Sequence, residues 1–107
     1  MKKLWLDDER PAPEGWILCR TPAEFYEALV WDAPIEEASF DHDLGYFVGD
    51  REVTGYDILC VIEGLAAQNE WELIPKKMKI HSANSAGRKK MRLAIESIER
   101  MRDDSSN

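Results

Sequence analysis

Ser39-Phe40-Asp41-His42-Asp43-Leu44-Gly45 is the stretch around which the chain is organised. Two carboxylates and an imidazole follow directly on an apolar run, and the segment breaks at a glycine. Because side chains alternate along a strand, Asp41 and Asp43 are expected on one face and His42 on the other. The pattern is typical of a functional site at a strand end rather than of a hydrophobic core.

Two further polar clusters also follow short apolar runs. Asp7-Asp8-Glu9-Arg10 comes after Lys3–Leu6, and His81-Ser82-Ala83-Asn84 comes after Lys77–Ile80. These runs and Trp16–Cys19 predict strands. Ligands of parallel α/β sheets bind beyond the carboxyl ends of the strands, so the three clusters are expected to meet at one edge of the sheet.

Three helices are predicted between and after the strands. Thr21-Pro22-Ala23-Glu24 combines a capping Thr, a Pro at the first helical position and a Glu at the third, and predicts a capping box. Thr54-Gly55-Tyr56-Asp57 caps a second helix that ends near Asn69. A third helix is predicted from Ser85 to about Arg102.

This order of elements predicts one α/β domain over residues 1–102, with four mainly parallel strands and a frayed polar tail over 103–107. The segment Tyr46–Val53 is predicted to be a loop long enough to act as a lid over the site. Lys77–Ile80 alternates polar and apolar residues, which indicates an edge strand with one wet face. Such an edge allows two copies of the chain to pair as a homodimer.

The bulk composition limits the classes of function. The 107 residues carry a net charge of −7, which disfavours a broad surface for duplex nucleic acid. No long apolar span or signal peptide is present, so a cytoplasmic protein without a membrane segment is predicted. Cys19 and Cys60 lie in apolar runs and are expected to be buried, unpaired thiols.

Asp7, Asp8, Asp41 and Asp43 would repel one another if they shared a pocket, and a divalent cation would relieve that repulsion. Oxygen ligands suit Mg²⁺, whereas a histidine ligand would favour Mn²⁺ or another transition metal. Alternatively, the first two aspartates are solvated turn residues and the last one caps a loop.

The segment after the last strand runs through small residues into a helix N-terminus, which predicts an anion site. Gly87 would let a phosphate approach the backbone, Ser82 and Asn84 would donate to its oxygens, and Arg88 would supply charge. Arg10 or Arg51 would screen the charge of the site, and Arg10 is a further candidate for substrate binding. Alternatively, Asn84 or Ser85 is only a helix cap, and the basic run Arg88-Lys89-Lys90 is a solvated helix face.

His81 and His42 are candidates for acid–base catalysis beside Asp41, because a phosphodiester needs one group to activate the attacking oxygen and another to protonate the leaving oxygen. Strand alternation places His42 on the face opposite Asp41, where a core role is the alternative. His81 is therefore the favoured catalytic histidine.

Four motifs together resemble the cyclic-phosphate-processing receiver domain family. They are Leu6-Asp7-Asp8-Glu9-Arg10-x-Pro, Phe40-Asp41-His42-Asp43-Leu44-Gly45, Thr54-Gly55-Tyr56-Asp57 and His81-Ser82-Ala83-Asn84-x-x-Gly87-x-x-x-Met91. The resemblance implies a compact three-layer, receiver-like (flavodoxin-like) sheet, and this sequence departs from ordinary receivers because the fifth strand and the first helix are missing. It also implies hydrolysis or processing of a cyclic phosphate, on a cyclic nucleotide or at an RNA end. Together with the cation site expected from the aspartates, this predicts a metal-dependent phosphoesterase.

The similarity to ordinary receivers leaves a second hypothesis open. By this similarity, the acidic pair Asp7-Asp8 corresponds to the metal-binding pair of receivers and Asp41 to their phosphoacceptor. Ser82 corresponds to their switch hydroxyl. The receiver's phosphate-contacting lysine is missing here, which weakens a signalling role because an acyl phosphate would lose its charge partner.

Overall fold

The chain alternates strands and helices as its pattern predicts, and the structure, a computed structural model, describes residues 1–105. In chain order the elements are β1 (Lys2–Leu6), β2 (Ile17–Cys19), α1 (Pro22–Trp31), β3 (Ile35–Phe40), β4 (Tyr46–Val48), β5 (Arg51–Val53), α2 (Gly55–Ala67), a short 3-10 helix (Trp71–Leu73), β6 (Lys77–Ile80) and α3 (Ser85–Ser105). The last two residues of the predicted polar tail lie outside the described residues. The predicted receiver-like α/β architecture is confirmed.

Four strands form one parallel sheet in the order β2-β1-β3-β6. The hydrogen-bond ladder continues one residue past the strand ends: Asp7 N donates to Cys19 O, Asp41 N to Leu6 O and His81 N to Phe40 O. Because all four strands are parallel, Asp7, Asp41 and His81 lie side by side at the carboxyl ends of their strands. β6 is an edge strand with alternating exposure, as its sequence predicts.

One face of the sheet carries the hydrophobic core. Leu4, Leu6, Ala38 and Phe40 alternate along β1 and β3 and are almost fully buried. The helices add to the same core through Phe25, Leu29, Ile58, Leu59, Ile62, Met91 and Ile98. Each such side chain contributes roughly 1.5–3 kcal/mol when removed from water, so this face supplies most of the driving force for folding.

The opposite face of the sheet is polar and aromatic. Trp5 packs edge-on against Trp16 with ring centroids 5.6 Å apart, and Lys79 Nζ lies 2.7 Å from a carboxylate oxygen of Glu37. The predicted absence of a first helix accounts for this face, because the segment between β1 and β2 is a loop. Phe25 of α1, Ile58 of α2 and Met91 of α3 all belong to the core on the apolar face. The helices therefore form one layer against the sheet, whereas the expected three-layer arrangement has a layer on each face.

Both predicted helix caps form, with one difference. Thr54 and Asp57 make a reciprocal capping box at the start of α2. Thr21 Oγ1 accepts from Glu24 N at 3.2 Å, but the Glu24 carboxylate accepts from the backbone N of Arg20 at 2.8 Å instead of closing the box on Thr21.

Three details of the sequence interpretation are wrong. The predicted lid loop is a two-stranded antiparallel hairpin, β4–β5, and residues 103–105 continue α3 rather than fraying. Cys60 is exposed because it lies on the outer side of α2, whereas Cys19 is buried and burial raises the pKa of its thiol to about 12. None of the helices within residues 1–105 is both long and apolar enough to cross a membrane.

Candidate active site

An acidic pocket of about 420 Å³ opens at the carboxyl edge of the sheet. It is lined by residues of the loops after β1 and β3, by the hairpin, and by one residue after β6. These residues are Asp7, Asp8, Glu9, Arg10, Asp41, Asp43, Gly45, Phe47, Glu52 and Ala83. The four predicted metal-binding aspartates are thus brought together.

Asp7 is the most tightly held carboxylate of the pocket. Its side chain is fully buried, and Oδ1 accepts from the backbone N of Glu9 and of Arg10, both at 2.9 Å. Burial raises the pKa of Asp7, but these two N–H groups and the nearby Arg10 charge outweigh it and hold the pKa below its usual value. Asp7 is therefore a fixed, ionised carboxylate.

Asp41 lies beside Asp7 and has the opposite shift. Burial and the charge of Asp7 raise the pKa of Asp41, although its Oδ1 accepts from the backbone N of His42 at 2.8 Å. Asp8 completes a triad in which one carboxylate oxygen of each residue lies within 4.8 Å of the others. Gly45 leaves room for Asp8, since a Cβ there would lie 3.1 Å from Asp8 Oδ2.

The triad fits a divalent cation on chemical grounds. One carboxylate oxygen from each of the three residues converges on the same place, and burial together with the charge of Asp7 raises the pKa of Asp41, so a cation there would stabilise the ionised form. The donors are all oxygens, the ligand type that Mg²⁺ prefers, and Mn²⁺ also accepts them.

Asp43 lines the pocket but lies outside the triad. Its Oδ1 accepts from His42 Nδ1 at 2.8 Å, and Asn84 Nδ2 lies 3.3 Å from both of its oxygens. The hydrogen bond from His42 lowers the pKa of Asp43. Asp41 and Asp43 both line the pocket and His42 does not, as strand alternation predicts, although β3 itself ends at Phe40.

His81 sits behind Asp7 and does not line the pocket. Its Nε2 donates to Asp7 Oδ2 at 3.1 Å, its Nδ1 pairs with Ser39 Oγ at 2.7 Å, and its ring stacks on Trp5 with centroids 3.7 Å apart. Burial lowers the pKa of His81 against the opposing charge of Asp7. With both ring nitrogens engaged, the residue is placed to hold Asp7 rather than to reach a substrate.

His42 is likewise turned away from the pocket. Its ring bonds Asp43 and packs against Gly87, where an added Cβ would lie less than 3.0 Å from three ring atoms. The space that the missing side chain leaves at Gly87 is therefore filled by imidazole. The prediction that Gly87 admits a phosphate there is wrong for this conformation.

Of the other predicted substrate-binding residues, Arg10 lines the pocket, whereas Ser82, Asn84 and Arg88 do not. Ser82 Oγ accepts from Asn84 N at 3.1 Å, and Asn84 Oδ1 accepts from Gly87 N at 2.9 Å, so Asn84 is the N-cap of α3. Arg88 is exposed and does not line the pocket. Arg10 does line it, with Nη1 donating to His81 O at 3.0 Å.

Several residues of the site were missed by the sequence interpretation. Glu9, Phe47 and Glu52 line the pocket, and Arg20 Nη1 ties down the first loop by donating to Arg10 O at 2.8 Å and to Asp7 O at 3.2 Å. A signal for the hairpin was present, because a Gly-Asp turn at 49–50 separates two short runs that contain aromatic or β-branched residues.

Comparison with known proteins adds one finding. A family model described as the cyclic-phosphate processing receiver domain matches residues 2–97, a span that contains every residue lining the pocket. No curated protein and no solved structure matches the chain significantly.

Proposed function

The chain belongs to the cyclic-phosphate processing receiver domain family, and from this premise we propose that it is a metal-dependent phosphoesterase that opens cyclic phosphates. The substrate is a cyclic nucleotide or a cyclic phosphate at an RNA end. Water adds to phosphorus, one ring P–O bond breaks, and the leaving alkoxide takes up a proton, so the product is a phosphomonoester. The observation that supports this most is the carboxylate triad of Asp7, Asp8 and Asp41.

These three residues would hold Mg²⁺ or Mn²⁺. A bound divalent cation supplies Lewis-acid polarisation of the phosphoryl group. The protein's own contribution is to keep the ligands in place: His81 and two backbone N–H groups fix Asp7, and the backbone N of His42 fixes Asp41. His81 acts in this proposal as a positioning residue.

Arg10 is the proposed phosphate-binding residue. Among the residues lining the pocket in the described chain it carries the only positive charge. Its guanidinium is oriented by His81 O and lies 3.6 Å from Asp7 Oδ2 through Nε. A planar, permanently charged group held in this way suits the equatorial oxygens of a phosphodiester.

Asp43 is the proposed proton acceptor for the attacking water. It lines the pocket, and its carboxylate is oriented by His42 Nδ1 and Asn84 Nδ2. The imidazole of His42 lies behind this carboxylate and stabilises its charge, so His42 acts through Asp43 and not on the substrate. This arrangement replaces the direct proton transfer that the sequence predicted for the two histidines.

The test is turnover of 2′,3′- and 3′,5′-cyclic nucleotides and of RNA ending in a cyclic phosphate, with Mg²⁺ or Mn²⁺. We expect metal-dependent hydrolysis that D41N abolishes. The matched control is D50N, which removes a carboxylate from the exposed hairpin turn outside the pocket. Absence of turnover of all three substrates, together with no metal-dependent shift in melting temperature, would refute the proposal.

A second candidate function is phosphoryl acceptance by Asp41 in a signalling module. Asp41 follows an inner strand of the sheet and lines the pocket, and within residues 1–105 only its Oδ1 accepts a hydrogen bond. Acetyl phosphate separates the candidates. A stable acyl phosphate on Asp41 by intact mass supports signalling, whereas unmodified protein that turns over cyclic phosphates supports the enzyme.

A further inference from the structure

The hairpin β4–β5 brings an exposed aromatic ring to the acidic pocket. Phe47 lines the pocket while 59% of its surface stays in water. In the described part of the chain its ring makes no aromatic or cation contact. A free aromatic face at the mouth of a polar pocket is a surface on which a planar ligand stacks.

The position of Phe47 is set by the base of the hairpin. Tyr46 and Val53 pair across the strands and are half-buried, with Tyr46 packed on the core. Arg51 Nη2 lies 3.1 Å from Asp57 Oδ1 and joins the hairpin to α2. The ring is therefore presented by a paired, anchored element rather than by a free loop.

Glu52 lies directly opposite Phe47 in the antiparallel register and also lines the pocket. Cross-strand partners project to the same side of a hairpin, so the carboxylate stands next to the ring. Over residues 1–105 the carboxylate of Glu52 forms no hydrogen bond and no ion pair. It is an acceptor without a donor.

We propose that Phe47 and Glu52 form a nucleobase subsite that prefers guanine. This inference rests on the proposed function, since it places the base of the cyclic nucleotide on Phe47 and the cyclic phosphate toward Arg10. An ionised carboxylate only accepts hydrogen bonds, and guanine presents two adjacent donors, N1–H and the 2-amino group. Adenine instead presents an acceptor at N1, and two acceptors facing each other repel.

The surrounding charge favours a base over a second phosphate at this position. Glu9 and Glu52 add to the aspartates of the pocket, so a neutral ring is accommodated where another anion would be repelled. The subsite thus explains how an acidic pocket selects a nucleotide rather than a small cyclic phosphate without a base.

The experiment measures binding by calorimetry with four ligands: 2′,3′-cyclic GMP, 2′,3′-cyclic AMP, glycerol 1,2-cyclic phosphate, and guanosine. We expect F47A to weaken cyclic GMP binding about tenfold and to leave the base-free phosphate unchanged. V48A is the matched control, because Val48 is the neighbouring exposed hairpin residue and does not line the pocket. F47Y is expected to retain binding.

The guanine preference is tested with E52Q, and D50N is the matched charge control. We expect E52Q to abolish the difference between cyclic GMP and cyclic AMP, and D50N to keep it. Equal affinity of the wild type for cyclic GMP and the base-free phosphate, or unchanged cyclic GMP binding in F47A, would overturn the base subsite. A preference for cyclic GMP that survives in E52Q would overturn the role of Glu52.

Guanosine distinguishes failure of this inference from failure of the proposed function. If guanosine binds the wild type and not F47A while no cyclic phosphate is hydrolysed, the subsite stands and the phosphoesterase fails. If cyclic phosphates are hydrolysed with no effect of F47A on any ligand, the phosphoesterase stands and the subsite fails.

Discussion

Replacing Gly87 by Ala tests whether this glycine makes room for His42. Alanine in a helix normally gains about 1 kcal/mol over glycine. At Gly87, however, the new Cβ would overlap three atoms of the His42 ring, and overpacking of this kind costs roughly 1–3 kcal/mol. The matched variant is G64A in α2, where a Cβ meets nothing within 4 Å and the helix gain should appear undiminished.

In urea unfolding, we expect the free energy of unfolding of G87A to be about 1–3 kcal/mol lower than that of G64A. Both variants gain helix propensity, but only G87A overpacks against a neighbouring side chain. For a domain of this size, this difference corresponds to melting temperatures at least about 4 °C apart. In an H42A background the ring is gone, so G87A should no longer destabilise the protein. Equal stability of G87A and G64A would refute the steric account, and reduced phosphate binding by an otherwise stable G87A would restore the phosphate interpretation.

Three further predictions concern the residues around the triad. D41N should raise the melting temperature in metal-free buffer at pH 7, because burial and Asp7 raise the pKa of Asp41 and so penalise its charge in the folded state. With Mg²⁺ at about 100 times its Kd, the free energy of unfolding of the wild type should rise by about 2.7 kcal/mol and that of D41N by less. Equal increases in the two proteins would show that Asp41 does not bind the metal. G55A should lose about 3 kcal/mol or more in urea unfolding, since its Cβ would overlap the backbone carbonyl of Asp41, which cannot turn aside as a side chain can; a variant as stable as the wild type would contradict this contact. Because burial lowers the pKa of His81 below 6.5, the unfolded chain binds its proton more readily, so stability should fall as the pH drops from 7 to 5, and H81Q should flatten that slope; parallel slopes in the two proteins would contradict the role of His81.

The order of elements and the meeting of the polar clusters were predictable from the sequence. The capping residues Thr21 and Thr54 mark the starts of α1 and α2, and both caps form. These features depend on hydrogen bonds between residues two to four apart and on the spacing of apolar side chains. The convergence of Asp7 with Asp41 follows from parallel pairing alone, because the carboxyl ends of neighbouring parallel strands lie at one edge.

The contact partners of the two histidines were decided only by the tertiary structure. His81 bonds Asp7, 74 residues earlier in the chain, and its ring stacks on Trp5. Both contacts exist because the sheet brings the end of β6 close to β1. His42 lies on the side away from the pocket, as alternation predicts, but its contact there with Gly87 exists only because the fold brings the start of α3 beside it. The hairpin that carries Phe47 reaches the pocket through its packing on the core. Local rules determine which residues end a strand, whereas the partner of each side chain depends on which distant residues the fold brings beside it.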